Sequence, residues 1–219
     1  MKELKKHCDP TYCMLCRSVQ PEWIPAIEAS HKVYQVKRGE TLFREGDTVQ
    51  GMYFVHNGLL KVHTQWGEEK ELILRFAKGG DIVGHRGLGQ DNIYPVTGTA
   101  LETTEVCYVD NRFFDATLKT NPAFLYQLML FFASELKDSE RRMRDLAHMP
   151  VKGRISKALH RLSHQFGVDD EGYIAINLSR QDFASYTGTT YETTFRLMNE
   201  MAEEGLIKMD GKRIALISE

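Results

Sequence analysis

Residues 33–110 alternate between short runs rich in β-branched and aromatic residues and turns that contain glycine. The clearest runs are residues 52–56 (MYFVH), 59–64 (LLKVHT) and 71–76 (ELILRF). Runs of this length, separated by glycines at hairpin spacing, are typical of antiparallel strands. The pattern therefore predicts an antiparallel roll or barrel.

A different periodicity begins at Asn121 and Pro122, where apolar residues recur at alternating spacings of four and three. The seam positions are Leu125, Met129, Phe132, Leu136, Ser139, Met143 and Leu146. This is the spacing of a coiled-coil seam, so we expect a long helix that pairs with a second copy in a twofold dimer. The alternative is a stripe that packs only on the chain's own roll.

After an expected hinge at residues 148–151, the pattern predicts a helix over 152–165, a β-like piece over 173–177 and a closing hairpin over 206–217. Between the last two, Ser179 with Asp182 forms an S-x-x-D helix cap, and Gly188 ends that helix. Thr189 with Glu192 forms a T-x-x-E capping box for a second helix that runs to about residue 203. Two helices joined by a tight turn predict a helix-turn-helix, and the fold class is α+β.

The second of these helices has two faces at about 100° per residue. The predicted core face is Thr194, Leu197, Met198 and Met201, and the opposite face is Glu192, Phe195, Arg196 and Asn199. In a DNA major groove, such carboxylate, guanidinium and aromatic groups can contact cytosine, guanine and the thymine methyl group respectively. Three alternatives stay open: Glu192 only completes a cap, Arg196 pairs with Glu192 or Glu200, and a neighbouring element covers Phe195.

The composition narrows the classes of protein to which this chain can belong. The 219 residues are 42% hydrophobic and 26% charged with a net charge of −2, which excludes a protein that coats nucleic acid by bulk charge. No apolar run reaches the length of a membrane span, so we expect a soluble, cytoplasmic protein with no membrane partner. The four cysteines, three of them in residues 8–16, do not form a secreted disulfide pattern and point to metal or redox chemistry.

Several motifs in order resemble the CRP/FNR family of bacterial transcription regulators. They are residues 37–47 (KRGETLFREGD), 53–58 (YFVHNG) and 80–84 (GDIVG), followed by the seam helix and the helix-turn-helix. The resemblance covers essentially the whole chain. It implies a cyclic nucleotide-binding-domain-like β-roll over residues 1–120, a dimerisation helix over 121–148 and a winged helix-turn-helix over 149–219.

The resemblance also implies partners: double-stranded DNA, a second copy of the chain, and RNA polymerase. The family's E-x-x-x-R pair of base contacts corresponds to Glu192 and Arg196. The residue before the arginine is serine in the FNR branch and glycine in the cAMP receptor protein, but here it is Phe195. The full expected DNA-binding set is Ser179, Arg180, Thr190, Tyr191, Glu192, Phe195, Arg196 and Asn199.

The signal is expected to differ from cyclic AMP. In members that bind it, a glutamate holds the ribose and an Arg-Ser pair holds the phosphate; His85 and the Pro95-Val96 pair stand in those places here. Neither supplies a cation for a phosphate. Cyclic AMP binding is therefore not expected.

The cysteines point to another cofactor. Residues 100–107 (ALETTEVC) resemble the stretch of FNR that carries its internal cluster ligand, and the resemblance implies a [4Fe-4S] cluster on Cys8, Cys13, Cys16 and Cys107. The N-terminal spacing is C-x4-C-x2-C, where FNR has C-x2-C-x5-C. The alternatives are a zinc site on the three N-terminal cysteines with Cys107 or His7, a thiol redox switch, and purely structural cysteines.

Two further expectations concern assembly and class. FNR has an acidic residue in the seam slot that Ser139 fills here, so we expect dimer formation without a cofactor. The alternative from another class is a cupin-like metal-dependent β-barrel enzyme that uses His56, His63 and His85. These histidines lack the clustered H-x-H pattern of such sites, no other catalytic motif is present, and we expect no enzyme.

Overall fold

The structure is a computed structural model that describes residues 1–8, 10, 11, 13–67 and 70–217. The chain divides into two compact units, Met1–Thr64 with Leu74–Lys137, and Gln65–Ile73 with Asp138–Glu219. No helix within the described ranges is long and apolar enough to cross a bilayer.

The N-terminal part of the chain is built on two antiparallel sheets, which confirms the predicted roll. The strands are β1 (Lys2–Leu4), β2 (Lys32–Val36), β3 (Thr41–Phe43), β4 (Gly51–Asn57), β5 (Leu59–Trp66), β6 (Lys70–Lys78), β7 (Ile82–Val83), β8 (Thr97–Ala100) and β9 (Thr104–Asp110). One sheet has the order β1-β2-β9-β4-β7 and the other β3-β8-β5-β6.

Strand β4 is buried on both sides, which explains its continuous apolar run. Phe54 faces Phe114 with ring centroids 6.5 Å apart, and Tyr53 stacks on Phe43 at 5.9 Å. A strand that is covered on both sides buries consecutive residues instead of alternate ones.

Three helices in this part were not predicted from the sequence: α1 (Met14–Ser18), α2 (Ile24–Ser30) and α3 (Asn111–Thr120). The first two are shorter than the window in which helical periodicity can be recognised. Helix α3 is capped by Asp110, whose carboxylate accepts from the Phe113 amide at 2.8 Å. An Asp at this position was an available signal for a helix start.

Helix α4 (Pro122–His148) begins where the sequence predicted and has two apolar faces. Phe124 and Leu128 are buried in the core of the roll. The predicted seam residues Leu125, Met129, Leu136 and Met143 are 48–67% exposed, and Ser139 is exposed as well. Phe132 departs from the expected set: it is half-buried, with its ring edge on His85 at 5.3 Å. Apart from Phe132, the stripe that packs on the roll is therefore not the predicted seam.

The C-terminal part contains α5 (Val151–Phe166), α6 (Arg180–Thr187), α7 (Tyr191–Glu203) and the hairpin β10 (Ile207–Asp210) with β11 (Arg213–Leu216), which confirms the predicted helix-turn-helix and hairpin. The β-like piece at 173–177 is wrong, because only an isolated bridge from Ile174 to Val168 forms there. The predicted core face of α7 is confirmed, since Thr194, Leu197, Met198 and Met201 are all buried.

Candidate metal centre and nucleic-acid interface

Three thiols converge at the N-terminus. The sulfur atoms of Cys8, Cys13 and Cys16 all lie within 4.8 Å of one another, and those of Cys8 and Cys16 are 3.6 Å apart. Cys13 is the N-cap of α1 and Cys16 lies three residues later, so one helical turn places them side by side. Leu15 between them is fully buried and anchors this short helix. Among the described residues, no other group of His, Cys, Asp and Glu side chains has the spacing of a metal site.

The fourth cysteine reaches the same point from the sheet. Cys107 is buried on β9, opposite Phe54 of β4, in the core cluster against which Cys8 packs. Two residues before it, Glu105 accepts from the Lys6 ammonium at 2.8 Å, which holds the N-terminal segment beside β9. The structure thus brings three of the four predicted cysteines together, and Cys107 is buried in the same core cluster.

The thiols hold protons unequally. Hydrogen bonds from Cys16 and then Cys8 lower the pKa of Cys13 below the ordinary thiol range. The pKa of Cys8 is raised, first by its hydrogen bond to Cys107, and the pKa of Cys16 is raised, first by its hydrogen bond to Cys13. A site that favours one thiolate beside three further sulfur donors suits a cation with soft-ligand preference.

The donor set fits two kinds of metal group. Four thiolates are the ligands of a [4Fe-4S] cluster and also of structural zinc. Zinc–sulfur bonds of about 2.3 Å in a tetrahedron separate the sulfurs by roughly 3.8 Å. The 3.6 Å between Cys8 and Cys16 is close to that value. A cubane cluster binds each thiolate to a different iron and requires the sulfurs to lie further apart.

The second candidate site is the surface of α6 and α7. Ser179 caps α6 by accepting from the Asp182 amide, as predicted. The predicted T-x-x-E box at Thr189 is wrong: α7 begins one residue later, and Thr190 is its N-cap, accepting from the Thr193 amide at 3.2 Å. The reason is that the Thr189 amide closes the end of α6 by donating to the Ala184 carbonyl at 3.1 Å.

The outward face of α7 carries the expected polar groups. Glu192 is exposed and does not take part in the cap of α7. Its carboxylate has no hydrogen bond or ion pair within the described ranges. Arg196 is exposed and pairs with Glu200 at 2.5 Å, one of the alternatives from the sequence. Asn199 is half-buried on the same face. Glu192 and Arg196 therefore lie one turn apart on the outer surface of the helix.

Two aromatic rings flank these groups. Phe195 is 43% exposed and Tyr191 is 42% exposed, and their rings stack with centroids 6.2 Å apart. The guanidinium of Arg180 lies 5.8 Å from the centre of the Phe195 ring and donates to the Gly211 carbonyl at 2.8 Å. Arg180 therefore links α6, α7 and the turn of the hairpin.

The sequence did not predict an ion cluster that lies in the roll. Glu135 of α4 binds Arg86 at 2.9 Å and Arg75 at 3.4 Å, and His85 lies 3.9 Å from the same carboxylate oxygen. Burial, with the two guanidinium groups, lowers the pKa of His85 to about 2, so it is neutral. Local sequence does not mark this cluster, because Arg75, the His85-Arg86 pair and Glu135 come from three separate segments.

The chain was compared with known proteins. Residues 33–121 match the cyclic nucleotide-binding domain family, and residues 153–219 match the Crp-like helix-turn-helix domain family. The transcriptional activator protein FnrA of Stutzerimonas stutzeri is 31% identical over 186 residues, which span 83% of this chain and 75% of that protein. The chain belongs to the CRP/FNR family of transcription regulators.

Other relatives agree with this placement. The fumarate and nitrate reduction regulatory protein of Escherichia coli is 27% identical over 185 residues, 83% of this CRP/FNR chain and 73% of that protein. The c-di-GMP-responsive regulator CLP of Xanthomonas campestris shares the fold with a TM-score of 0.80 at 22% identity, over 91% of this chain and all of that one. FixK2 of Bradyrhizobium japonicum has a TM-score of 0.76 at 21% identity, over 86% and 93%.

The comparisons do not support the cupin-like enzyme, and the geometry gives it no metal site among the described residues. His63 contacts the Thr99 hydroxyl at 2.9 Å, and His85 belongs to the Glu135 cluster. The relatives named above are transcription regulators.

Proposed function

We propose that this CRP/FNR regulator senses a redox signal, O2 or NO, through a [4Fe-4S] cluster held by Cys8, Cys13, Cys16 and Cys107, and acts in the cytoplasm as a DNA-binding homodimer. The observation that carries the proposal is the group of three thiols, Cys8, Cys13 and Cys16, within 4.8 Å of one another, with Cys107 buried in the same core cluster. The similarity to FnrA, together with the FNR-like stretch 100–107, supports the iron-sulfur group over other thiol chemistry.

When bound, the cluster supplies a redox-active group whose state depends on the oxidant. The chain's own contribution is a cross-link, because ligation ties the N-terminal segment at Cys8 to β9 at Cys107. Without that tie, one link between the two segments is the ion pair of Lys6 with Glu105, in which the lysine is exposed. The pairing of β1 with β2 holds residues 2–4, but an exposed ion pair contributes little, so loss of the cofactor would loosen the segment between β1 and α1.

Zinc is the second candidate, and the sulfur spacing favours it. The sulfur atoms of Cys8 and Cys16 already lie close to the separation that a zinc site of four thiolates requires. In that case the zinc would stabilise the roll without sensing oxidants directly, and a different site of the protein would have to detect the signal.

Anaerobic purification, visible absorption, and iron, sulfide and zinc analysis separate these candidates. We expect a brown protein with about four irons per chain that bleaches in air. Cys107→Ser is expected to lose the iron, whereas the control His7→Ser keeps it. One zinc per chain without iron would support the second candidate, and a colourless, metal-free protein would contradict both.

For DNA, we propose that two copies pair through the exposed face of α4 and that each α7 enters a major groove. Glu192, Phe195, Arg196 and Asn199 contact bases in this arrangement. Thr190 and Tyr191 lie at the entry of α7, and Ser179 with Arg180 supports them from α6. The half-site centres are then about 34 Å apart, and affinity falls steeply with salt. RNA polymerase is the expected partner of the bound dimer.

Binding is tested with a duplex that the full-length chain selects from a random pool. Arg196→Ala should weaken binding to it by about 1 to 3 kcal/mol, with relaxed preference at one position of each half-site. Lys137→Ser, which changes an exposed residue of α4, is the control. Failure to select any sequence would contradict the proposal.

A further inference from the structure

The stacked rings of Tyr191 and Phe195 form an exposed apolar surface on the helix that carries Glu192 and Arg196. Both rings keep more than two fifths of their surface exposed. Exposed adjacent aromatic rings are unfavourable in water unless a partner covers them. This surface, the Tyr191/Phe195 platform, is therefore a candidate contact surface, because a partner that covers it removes apolar area from water.

The platform is held in place before any partner arrives. The two rings are nearly parallel, with an angle of 5° between their planes. Arg180 lies against Phe195 and is itself fixed by its hydrogen bond to Gly211. Side chains that are already ordered lose less conformational entropy on binding, which favours a specific contact.

The position of the platform indicates its occupant. Phe195 immediately precedes Arg196 and lies one turn after Glu192, so a base contacted by those residues brings its neighbours to the rings. Base edges in the major groove offer one apolar group, the C5-methyl of thymine. A flat apolar surface at this place matches that group better than a phosphate or a polar base edge.

We propose that the Tyr191/Phe195 platform packs on the C5-methyl group of a thymine beside the bases read by Glu192 and Arg196. The inference rests on the proposed DNA-binding function. Phe195 is then a specificity-determining residue. FNR has serine at this position and the cAMP receptor protein has glycine. The operator should then contain a fixed thymine in each half-site.

The test uses the duplex selected by the wild-type chain. Each thymine of the half-sites is replaced in turn by deoxyuridine, which removes the methyl group and leaves base pairing intact. We expect one thymine per half-site at which binding weakens about fourfold, and about fifteenfold when both half-sites are changed, as for loss of one buried methyl group each. Fluorescence anisotropy at fixed salt measures both dissociation constants.

Variants assign the effect to the platform. In Phe195→Ser and Tyr191→Ala, the ratio of uracil to thymine dissociation constants should fall towards one, and Phe195→Leu should restore part of it. Arg196→Ala should weaken binding to both duplexes while keeping the ratio. Thermal unfolding checks the fold, which these exposed substitutions should leave intact.

The DNA-binding proposal and the platform proposal fail separately. If no sequence is selected, the DNA-binding proposal fails. If a sequence is selected but no thymine responds to loss of its methyl group, the platform has another occupant, such as a protein, and the inference is overturned. It is also overturned if Phe195→Ser keeps the full ratio of the wild-type chain.

Discussion

Replacing Leu136 by serine should separate the two copies without unfolding either one. Leu136 is 61% exposed in the single chain, so the dimer and not the monomer would bury most of it. Full burial of a leucine contributes about 1.5 to 3 kcal/mol, and the exposed share amounts to roughly 1 to 2 kcal/mol per copy. The twofold axis doubles this to about 2 to 4 kcal/mol, which weakens dimerisation roughly 30- to 700-fold.

Sedimentation velocity over a concentration series measures this change. The matched control is Lys137→Ser, which makes the same new residue at the next position of α4, where the lysine is exposed and off the seam. Circular dichroism should show the same helix content in both variants, which checks that each copy stays folded. Equal dimer constants for Leu136→Ser and Lys137→Ser, or a wild-type chain that stays monomeric at micromolar concentration, would refute the α4 dimer.

Three further predictions concern the ion clusters and assembly. Glu135→Gln leaves the buried Arg75 without its carboxylate and should lower the free energy of unfolding by about 2 to 3 kcal/mol, measured by denaturant titration. The control Glu140→Gln changes an exposed residue and should cost less than about 0.5 kcal/mol. Equal losses in the two variants would contradict a stabilising role for the cluster. Burial raises the pKa of Asp145, but Lys157 and Arg144 together outweigh burial and lower that pKa overall. The stabilisation is therefore present above the unfolded pKa and lost as pH falls. The Tm difference between the wild-type chain and Asp145→Asn should therefore shrink below about pH 4, and a constant difference would argue against it. Ser139 fills the seam position that is acidic in FNR, so the seam carries no like-charge repulsion there and the cofactor-free chain should sediment as a dimer. A cofactor-free chain that sediments as a monomer would contradict this prediction.

Local patterns along the chain predicted most of the C-terminal part correctly. The Ser179 cap, the glycine that ends α6 and the buried face of α7 depend on residues within a few positions of one another. The start of α7 was misplaced by one residue because the Thr189 amide serves the end of the preceding helix. Competition between adjacent helix ends for one amide group cannot be read from the spacing of capping residues.

For the cysteine site, the sequence and the resemblance identified the residues but not their distances. The three N-terminal cysteines are close in the chain, whereas Cys107 lies in the same core cluster because β9 pairs in the middle of the sheet and Lys6 holds the N-terminal segment beside it. The distances between the sulfur atoms, which help to distinguish an iron-sulfur cluster from a zinc site, depend on tertiary packing alone.

The order of residues was thus sufficient for the fold class, the long helix α4, the helix-turn-helix and the family, since each depends on periodicity or on short motifs that act locally. Tertiary structure decided which apolar stripe of α4 is buried, which charges meet at Glu135, and how Arg180 and Tyr191 hold the Phe195 ring. Those features join residues from separate elements. Their energies depend on distance and burial, and neither quantity is encoded in local spacing.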